Sequence, residues 1–332
     1  MDRILVTGGA GYVGSACCAQ LLPRGFSVDV VDDLSTGHLE AVPQGAILHR
    51  FDIGSRGALE SLLADKKFDA VFHFAAKALI SESVINPGPF FDANVACGVM
   101  MLETLRKHGI RKFVFSSSAA VYGSPNVVPI PEDHVKEPVN AYGESKLIFE
   151  QILKWYARSY GWSVVVFRYF NACGGERHWG ERHDPETHII PLLLQTASGR
   201  REYFEIYGTD YPTPDGTCLR DYVHVLDIAE AHILALQKTE LPGFHAYNIG
   251  TGKSHSVREV CQTAQKVTQR RITVRHAPRR PGDPAVLCAS PSKLVREFAW
   301  EPRHSELEEI IKGAWEWEQA QYEHMLVKQG SR

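Results

Sequence analysis

An α/β fold is predicted from this sequence: a doubly wound parallel sheet followed by a smaller, irregular α/β region. Three observations carry the prediction. A glycine-rich turn near the N-terminus sits between an apolar run and a helix-like stretch. Short apolar runs then alternate with helix-periodic segments through the first half of the chain. After Asn171 the rhythm changes to Gly- and Pro-rich segments with no such alternation.

The first apolar run, Ile4 to Val6, leads into Thr7, Gly8, Gly9, Ala10, Gly11, Tyr12, Val13 and Gly14, and a helix-like stretch follows from Ser15 to Leu22. Gly8 permits the tight turn, Gly11 lets a pyrophosphate approach the backbone, and Gly14 allows the helix to pack closely on the sheet. The free N–H groups of the helix start then face the phosphates. The second run, Val28 to Val31, ends in Asp32 and Asp33, where a carboxylate hydrogen-bonds an adenosine ribose hydroxyl. An acid there repels a 2′-phosphate, so this Rossmann pattern favours NAD over NADP.

Further strands are expected over Ala46 to Phe51, Ala70 to Phe74, Lys112 to Ser116 and Val164 to Tyr169. The strand ending at His73 runs into Phe74, Ala75 and Ala76, small enough at the alanines for a cofactor lying across the carboxyl ends. The later region holds Gly174, Gly175, Pro212, Pro214, Asp215 and Gly216, then a helix expected over Val225 to Gln237, a strand over Ala246 to Ile249 and a terminal helix from Leu307 through Trp317. The division expected is residues 1–171 plus about 217–240 for the NAD-binding domain, and about 172–216 with 241–332 for the substrate domain.

Composition excludes several classes. A hydrophobic content of 44% over 332 residues supports a sizeable core, and a net charge of -3 gives no basic field for nucleic acid. Clusters such as Arg270 with Arg271 read as solvated surface. The first strand begins by residue 3 and no apolar run approaches a membrane span, so a soluble, cytoplasmic protein is expected, with no membrane partner. Seven cysteines, with Cys17 and Cys18 adjacent and no paired C-x-x-C, read as buried apolar residues in a reducing compartment.

The chemistry-bearing residues lie in the middle of the chain. Asn140 is placed to cap a helix whose apolar positions Ile148, Ile152, Trp155 and Tyr156 suggest one buried stripe. Tyr142 and Lys146 fall one turn apart on that helix. A free tyrosine titrates near 10, and a neighbouring ammonium with a nicotinium charge lowers it toward the range of a working base. Ser116, Ser117 and Ser118 close the preceding strand, and Ser118 is the serine chosen to hold the same substrate oxygen. A lone Tyr-x-x-x-Lys pair is usually helix surface; together with the glycine turn it points to redox catalysis.

The chain resembles the extended short-chain dehydrogenase/reductases, and among them the UDP-glucose 4-epimerase family, over nearly its whole length. The resemblance is carried by the Gly8 to Gly14 turn, the run Phe115 to Gly123 with Ser118 and Tyr122, and Tyr142, Gly143, Ser145 and Lys146. It continues through Arg168, Tyr169, Phe170 and Asn171, then Pro185, Glu186, Thr187 and His188, then Arg220, Asp221, Tyr222 and His224, and finally Arg279, Arg280, Gly282 and Asp283.

The resemblance implies inversion at C4 of UDP-glucose and UDP-galactose through a 4-keto intermediate, with NAD retained throughout. It implies Tyr142 as acid/base, Lys146 as its tuning partner and Ser118 as the holder of the reacting oxygen. The implied cofactor contacts are Gly8, Gly11, Tyr12, Val13, Gly14, Asp32 and Asp33, followed by Ser35, Thr36, Gly37, Asp52 and Ile53. They continue with Phe74, Ala75, Ala76, Lys77, Asn94, Ser116, Tyr169 and Phe170. On the substrate side Asn171, Arg220 and Arg280 resemble diphosphate contacts, Tyr207 and Asp283 resemble uridine contacts, and His188, Ile189 and Leu287 complete the set. A planar guanidinium suits the diphosphate because it binds its oxygens bidentately.

Departures from the family pattern are local. Lys77 directly follows Ala76 with Ala78 next, where relatives often place the lysine one position later. The usual Asn-Asn pair is Ala93 and Asn94. Leu287 is intermediate in bulk at the position linked to acceptance of N-acetylated sugars. Ala119 and Ala120 stand where dehydratases and decarboxylases of this scaffold need acids, which argues against both. A 4-epimerase of another UDP sugar (UDP-N-acetylglucosamine, a UDP-pentose or UDP-glucuronate) stays open, and a non-catalytic NAD sensor is disfavoured by the joint presence of Ser118, Tyr142 and Lys146. His178, His183 and His188 crowd a loop with Glu181 and Asp184, but their spacing matches no helical or hairpin ligand set, so no metal is expected. A homodimer is expected through two helices per subunit, Phe90 to Lys107 and Tyr142 to Tyr160.

Overall fold

The computed structural model describes residues 2–177, 179–238, 242–280 and 282–330, apart from the side chains of 237–238 and 323–330. Seven strands form one sheet in the order Gly243–Ile249, β6 (Ser163–Tyr169), β5 (Lys112–Ser118), β4 (Ala70–His73), β1 (Arg3–Thr7), β2 (Ser27–Asp32) and β3 (Ile47–Arg50). Every neighbouring pair is parallel. Parallel strands bury both faces, which is why β4 and β6 consist wholly of buried residues.

The crossovers are helical. α1 (Tyr12–Leu21) follows β1 and α2 (Arg56–Asp65) follows β3. After β4 come α3 (Ile80–Ile85), α4 (Gly88–Phe91), a π-helical turn over Asp92–Ala96 and α5 (Cys97–Lys107). α6 (Ala141–Tyr160) leads into β6, and α7 (Ile189–Ala197) and α8 (Val225–Lys238) precede the strand Gly243–Ile249. One face of the sheet packs Ile4, Val6 and Val30 against Cys18 and Leu21 of α1 and Ile228 and Ala231 of α8. The other packs Leu5, Val71 and Phe115 against Leu59 of α2, Met101 and Leu105 of α5, and Phe149 and Leu153 of α6. Each such fully buried aliphatic or aromatic side chain contributes roughly 1.5–3 kcal/mol through removal of its surface from water.

Three further helices follow, α9 (Val257–Thr268), α10 (Ser292–Phe298) and α11 (Leu307–Gly330), with short strands between the helices of this later region. α7, α9 and α11 enclose a third core around Leu193, Phe204, Ile206, Val260 and Ile310. There the strands Phe204–Tyr207 and Val274–Ala277 pair in parallel.

Two expectations are corrected. Residues 243–249, assigned to the substrate domain, extend the main sheet beside β6; the boundary expected at 240–241 itself falls outside the described residues. The α6 stripe is also different: Phe149, Leu153 and Tyr156 are buried, whereas Ile148 and Ile152 are half-buried and Trp155 is 63% exposed. Apolar spacing identified helix, but the polar Lys146 and Glu150 lie on the buried face because each has a partner there.

β1 is the switch point of the sheet, with β2 on one side and β4 on the other. Its carboxyl end and that of β4 flank the crevice where ligands of such sheets bind.

Candidate active site

At the carboxyl end of β1, Gly8 adopts φ 75°, a left-handed conformation that glycine enters without penalty. Its N–H donates to Val31 O at 2.8 Å, and a Cβ there would lie 2.5 Å from Ala75 N. Gly14 is as tightly constrained, because a Cβ would meet Gly8 O at 2.2 Å. Gly11 differs: a Cβ would meet only Gly8 O, at 3.3 Å. The space above Gly11 is therefore open, and no side chain caps the N-terminus of α1. These N–H groups and the helix dipole suit a dinucleotide pyrophosphate.

The acid pair divides its work. Buried Asp32 accepts from Ala10 N and Leu34 N, each at 2.9 Å, so it braces the glycine turn, and burial raises its pKa. Asp33 is exposed and accepts from Ser35 N at 2.8 Å and Ser35 Oγ at 2.7 Å, so of the two acids it is the one open to solvent. Thr36 and Gly37 follow, and a Cβ on Gly37 would lie 2.9 Å from Ala10 Cβ, so this segment folds over the turn. Asp52 accepts from Gly54 N at 2.7 Å beside buried Ile53, at the end of β3.

Past β4, Phe74 and Ala75 both donate their N–H groups to Thr7 O, at 2.8 and 3.0 Å, which seats this segment against the turn. Buried Asn94 clamps Lys77 from both sides, accepting from its N–H at 2.8 Å and donating to its carbonyl at 3.0 Å. It also donates to Ser145 Oγ at 2.9 Å, which ties the segment to α6.

Asn140 caps α6, accepting from Gly143 N at 2.8 Å. Ser118, which closes β5, lies close enough to Tyr142 for its hydroxyl to act on the phenol. Lys146, 3% exposed, donates from Nζ to Ser116 O at 2.8 Å and lies 5.8 Å from the Tyr142 ring centroid. Burial pushes the lysine down to about 7, with Glu150 opposing, and pushes Tyr142 up, with Ser118 opposing. The expected lowering of Tyr142 by Lys146 is thus not produced by the protein alone. Desolvation acts on both groups, and Lys146 is itself held only partly protonated near neutrality.

Tyr169 is buried, with its hydroxyl 2.7 Å from His232 Nε2, and Phe170 packs with Leu147 and Tyr122. On the substrate side, Arg220 and Asp283 form an ion pair. Arg280 lies in the same turn as Asp283, with its guanidinium 4.0 Å from the Tyr207 ring centroid. Leu287 pairs in register with Arg220, and Asn171 with Tyr222. His188 is the N-cap residue of α7 and Ile189 its first residue. The predicted residues therefore form two groups, a cofactor edge at the sheet and an Arg/Tyr/Asp group on the later region.

Residues 4–250 match the NAD dependent epimerase/dehydratase family. The chain belongs to that family. A Corynebacterium glutamicum protein named UDP-glucose 4-epimerase is 45% identical over 313 residues, covering 94% of this chain and 94% of its own length. A crystal structure of a UDP-glucose 4-epimerase is similar with TM-score 0.94 at 41% identity, over 97% of this chain and 98% of that one. The Brucella ovis UDP-glucose 4-epimerase, solved in complex with NAD, has TM-score 0.91 at 41% identity, over 95% and 98%.

One feature of this epimerase/dehydratase-family chain was not singled out from sequence. Glu150, one turn beyond Lys146, accepts from Arg168 Nε at 3.0 Å and Nη2 at 2.7 Å, and from Ser117 Oγ at 2.6 Å. Arg168 also donates to Tyr122 Oη at 2.8 Å, and Tyr122 to Asn248 Oδ1 at 2.7 Å. An arginine inside a continuous apolar strand was the available signal. The loop before α7, whose histidines the sequence marked but whose irregular spacing argued against a metal, brings Glu181, His183, Glu186 and His188 together. Glu186 accepts from the N–H groups of Thr187 and His188, both at 2.8 Å, so the loop folds back on itself and needs no regular spacing. His178 lies outside the described residues.

Proposed function

We propose that this protein is an NAD-dependent UDP-glucose 4-epimerase, interconverting UDP-galactose and UDP-glucose. The convergence of Tyr142, Ser118 and Lys146 at the carboxyl edge of the sheet carries the reading. The glycine turn fits NAD, since its N–H groups and the clearance over Gly11 suit a pyrophosphate. When bound, NAD supplies the acceptor and later the donor of the C4 hydride.

Ser118 holds the sugar O4 by hydrogen bonding, which orients it toward the Tyr142 hydroxyl. Tyr142 takes the O4 proton as the carbonyl forms and returns it when the opposite face of C4 is reduced. Lys146 stabilises the tyrosinate, and its bond to Ser116 O keeps the ammonium beside the ring. Asp33 takes the adenosine ribose. Arg220, Arg280 and Asn171 hold the diphosphate, while Tyr207 and Asp283 face the uridine. Anchoring at the nucleotide leaves the sugar free to turn between hydride transfers. The division of labour follows the fold, with the sheet holding NAD and the region after Asn171 covering the sugar nucleotide.

The half-buried Ile148 and Ile152 with exposed Trp155 on α6, and the half-buried Val95 and Val99 on the preceding helical segment, support a homodimer through these helices. Sedimentation showing only monomer at micromolar concentration would remove it. No helix among the described residues is long and apolar enough to cross a membrane. All seven cysteines are free, as suits a reducing cytoplasm, and cell fractionation checks that assignment.

The direct test is incubation of purified protein with UDP-galactose and no added cofactor. Formation of UDP-glucose supports the reading; conversion only of UDP-N-acetylgalactosamine or a UDP-pentose reassigns the sugar, and conversion of none removes the enzyme.

A further inference from the structure

The loop Glu181–His188 brings two carboxylates and two imidazoles to one point, with ligand atoms all within 4.8 Å of one another. His188 Nδ1 lies 2.9 Å from Glu181 Oε1 and 2.8 Å from Glu186 Oε1. His183 Nδ1 lies 3.3 Å from Glu181 Oε1 and 3.8 Å from Glu186 Oε2. The edges of a tetrahedron around Zn²⁺ with bonds of ~2.0–2.2 Å measure about 3.4 Å, and these nitrogen–oxygen separations of 2.8, 2.9, 3.3 and 3.8 Å bracket it.

We propose that Glu181, His183, Glu186 and His188 form a divalent-cation site, suited to Zn²⁺, that clasps the loop before α7 against the glycine turn. Charge is consistent with this. The carboxylate side chains are only 6% and 8% exposed, and two buried anions side by side need compensation. One divalent ion with two neutral imidazoles balances them, and neutral imidazole is the form that ligates. The two histidines are 37% and 49% exposed, which gives an ion access from solvent. Imidazole and carboxylate together select Zn²⁺ over Ca²⁺ or Mg²⁺, which prefer all-oxygen shells.

The surroundings state what the clasp holds. The Tyr12 hydroxyl, from the glycine turn, donates to Gly174 O at 2.6 Å, and its ring meets His183 edge-on at 6.4 Å. Trp317 of α11 donates Nε1 to Glu181 O at 3.0 Å. An ion here joins three parts of the chain, the cofactor turn, the covering loop and the last helix. The role is structural, since Tyr142, Ser118 and Lys146 contribute no ligand.

The test uses full-length protein with its retained NAD, stripped with chelator, then titrated calorimetrically with Zn²⁺ and analysed for metal after gel filtration. One ion per chain is expected, with a rise in unfolding temperature that grows with free Zn²⁺. Co²⁺ in its place should show the intense visible absorption of a four-coordinate ion. His183→Gln and Glu181→Gln should each weaken binding by more than the ~10–100-fold that loss of an outer-shell partner costs. His183 is partly exposed, so if Glu181→Gln does not fold, His183→Gln alone decides. Wild-type protein that retains no ion, or variants that retain it equally through scattered surface histidines, overturn the site. Neither readout depends on epimerase turnover, so the clasp and the proposed reaction fail or stand separately.

Discussion

Lys146 donates from Nζ to the carbonyl oxygen of Ser116 at 2.8 Å, and this bond fixes how α6 lies along β5. One turn earlier Tyr142 meets Ser118, and one turn later Glu150 accepts from Ser117 Oγ at 2.6 Å. Four helical residues advance about 6 Å, close to the roughly 6.6 Å of two strand residues. Tyr142 and Lys146 therefore match Ser118 and Ser116 with the helix running against the strand. The dyad and its serine are one register, held by backbone geometry.

Tyr142→Phe should keep the fold and the bound cofactor, because only a hydroxyl is removed from a half-buried ring. Turnover should fall by about 10²–10⁴-fold, the usual share of a positioned acid/base. Cofactor absorbance and a UDP-galactose assay on the same sample check both halves. Near wild-type turnover would mean that another group moves the proton.

Lys146 gives stability a pH signature. Its folded pKa, about 7, lies below its ordinary value of 10.5, so between those values the unfolded chain binds the extra proton. Stability therefore rises with pH across that window and is fully penalised below it. Denaturation of wild type and Lys146→Met should diverge with rising pH in favour of wild type, by up to about 1.4 kcal/mol per pH unit. Other titrations are common to both proteins and cancel. A difference flat from pH 7 to 10 would place the lysine in a far more hydrated setting.

How much of this was legible beforehand follows from the physics of each element. β1, β4 and β6 were readable because strands buried on both faces are continuously apolar, and Tyr142 and Lys146 because four residues make one turn. The strand Gly243–Ile249 was readable as a strand but not as the sheet's edge, since periodicity does not name a partner. Ile148, Ile152 and Trp155 marked an apolar face, yet apolarity does not say which surface covers it. The histidines and Glu181 of the loop before α7 were visible as a crowd, but their convergence with Glu186 was not, because an irregular loop has no period.

The Glu150–Arg168 pair should be costly to break. Both side chains are essentially fully buried, 0% and 1% exposed, and joined by two hydrogen bonds. Arg168→Met leaves Glu150 charged with Ser117 as its remaining direct partner, and Glu150→Met leaves the buried guanidinium with only the neutral acceptors Tyr122 Oη and Glu132 O. Each should destabilise by about 3–5 kcal/mol, with the double variant recovering part of the loss. Urea denaturation of the three variants measures this. Losses below about 1 kcal/mol would show that the network is solvated.

The glycine turn separates folding from cofactor binding within one motif. At Gly14 a methyl would overlap Gly8 O at 2.2 Å and Gly9 Cα at 2.9 Å, both backbone atoms that cannot step aside. Gly14→Ala should therefore distort the junction of β1 and α1 and lower the unfolding temperature with or without cofactor. At Gly11 the same methyl meets only Gly8 O at 3.3 Å, and the backbone there, φ -81° and ψ 171°, suits any residue. Gly11→Ala should fold as wild type does when both are stripped of NAD. Its methyl instead fills the space proposed for the pyrophosphate, so it should lose retained NAD and the stabilisation that NAD confers. Unfolding temperatures of both variants, measured stripped and reloaded, decide the matter. A Gly11→Ala protein that purified with a full complement of NAD would mean that the pyrophosphate does not cross the turn at Gly11.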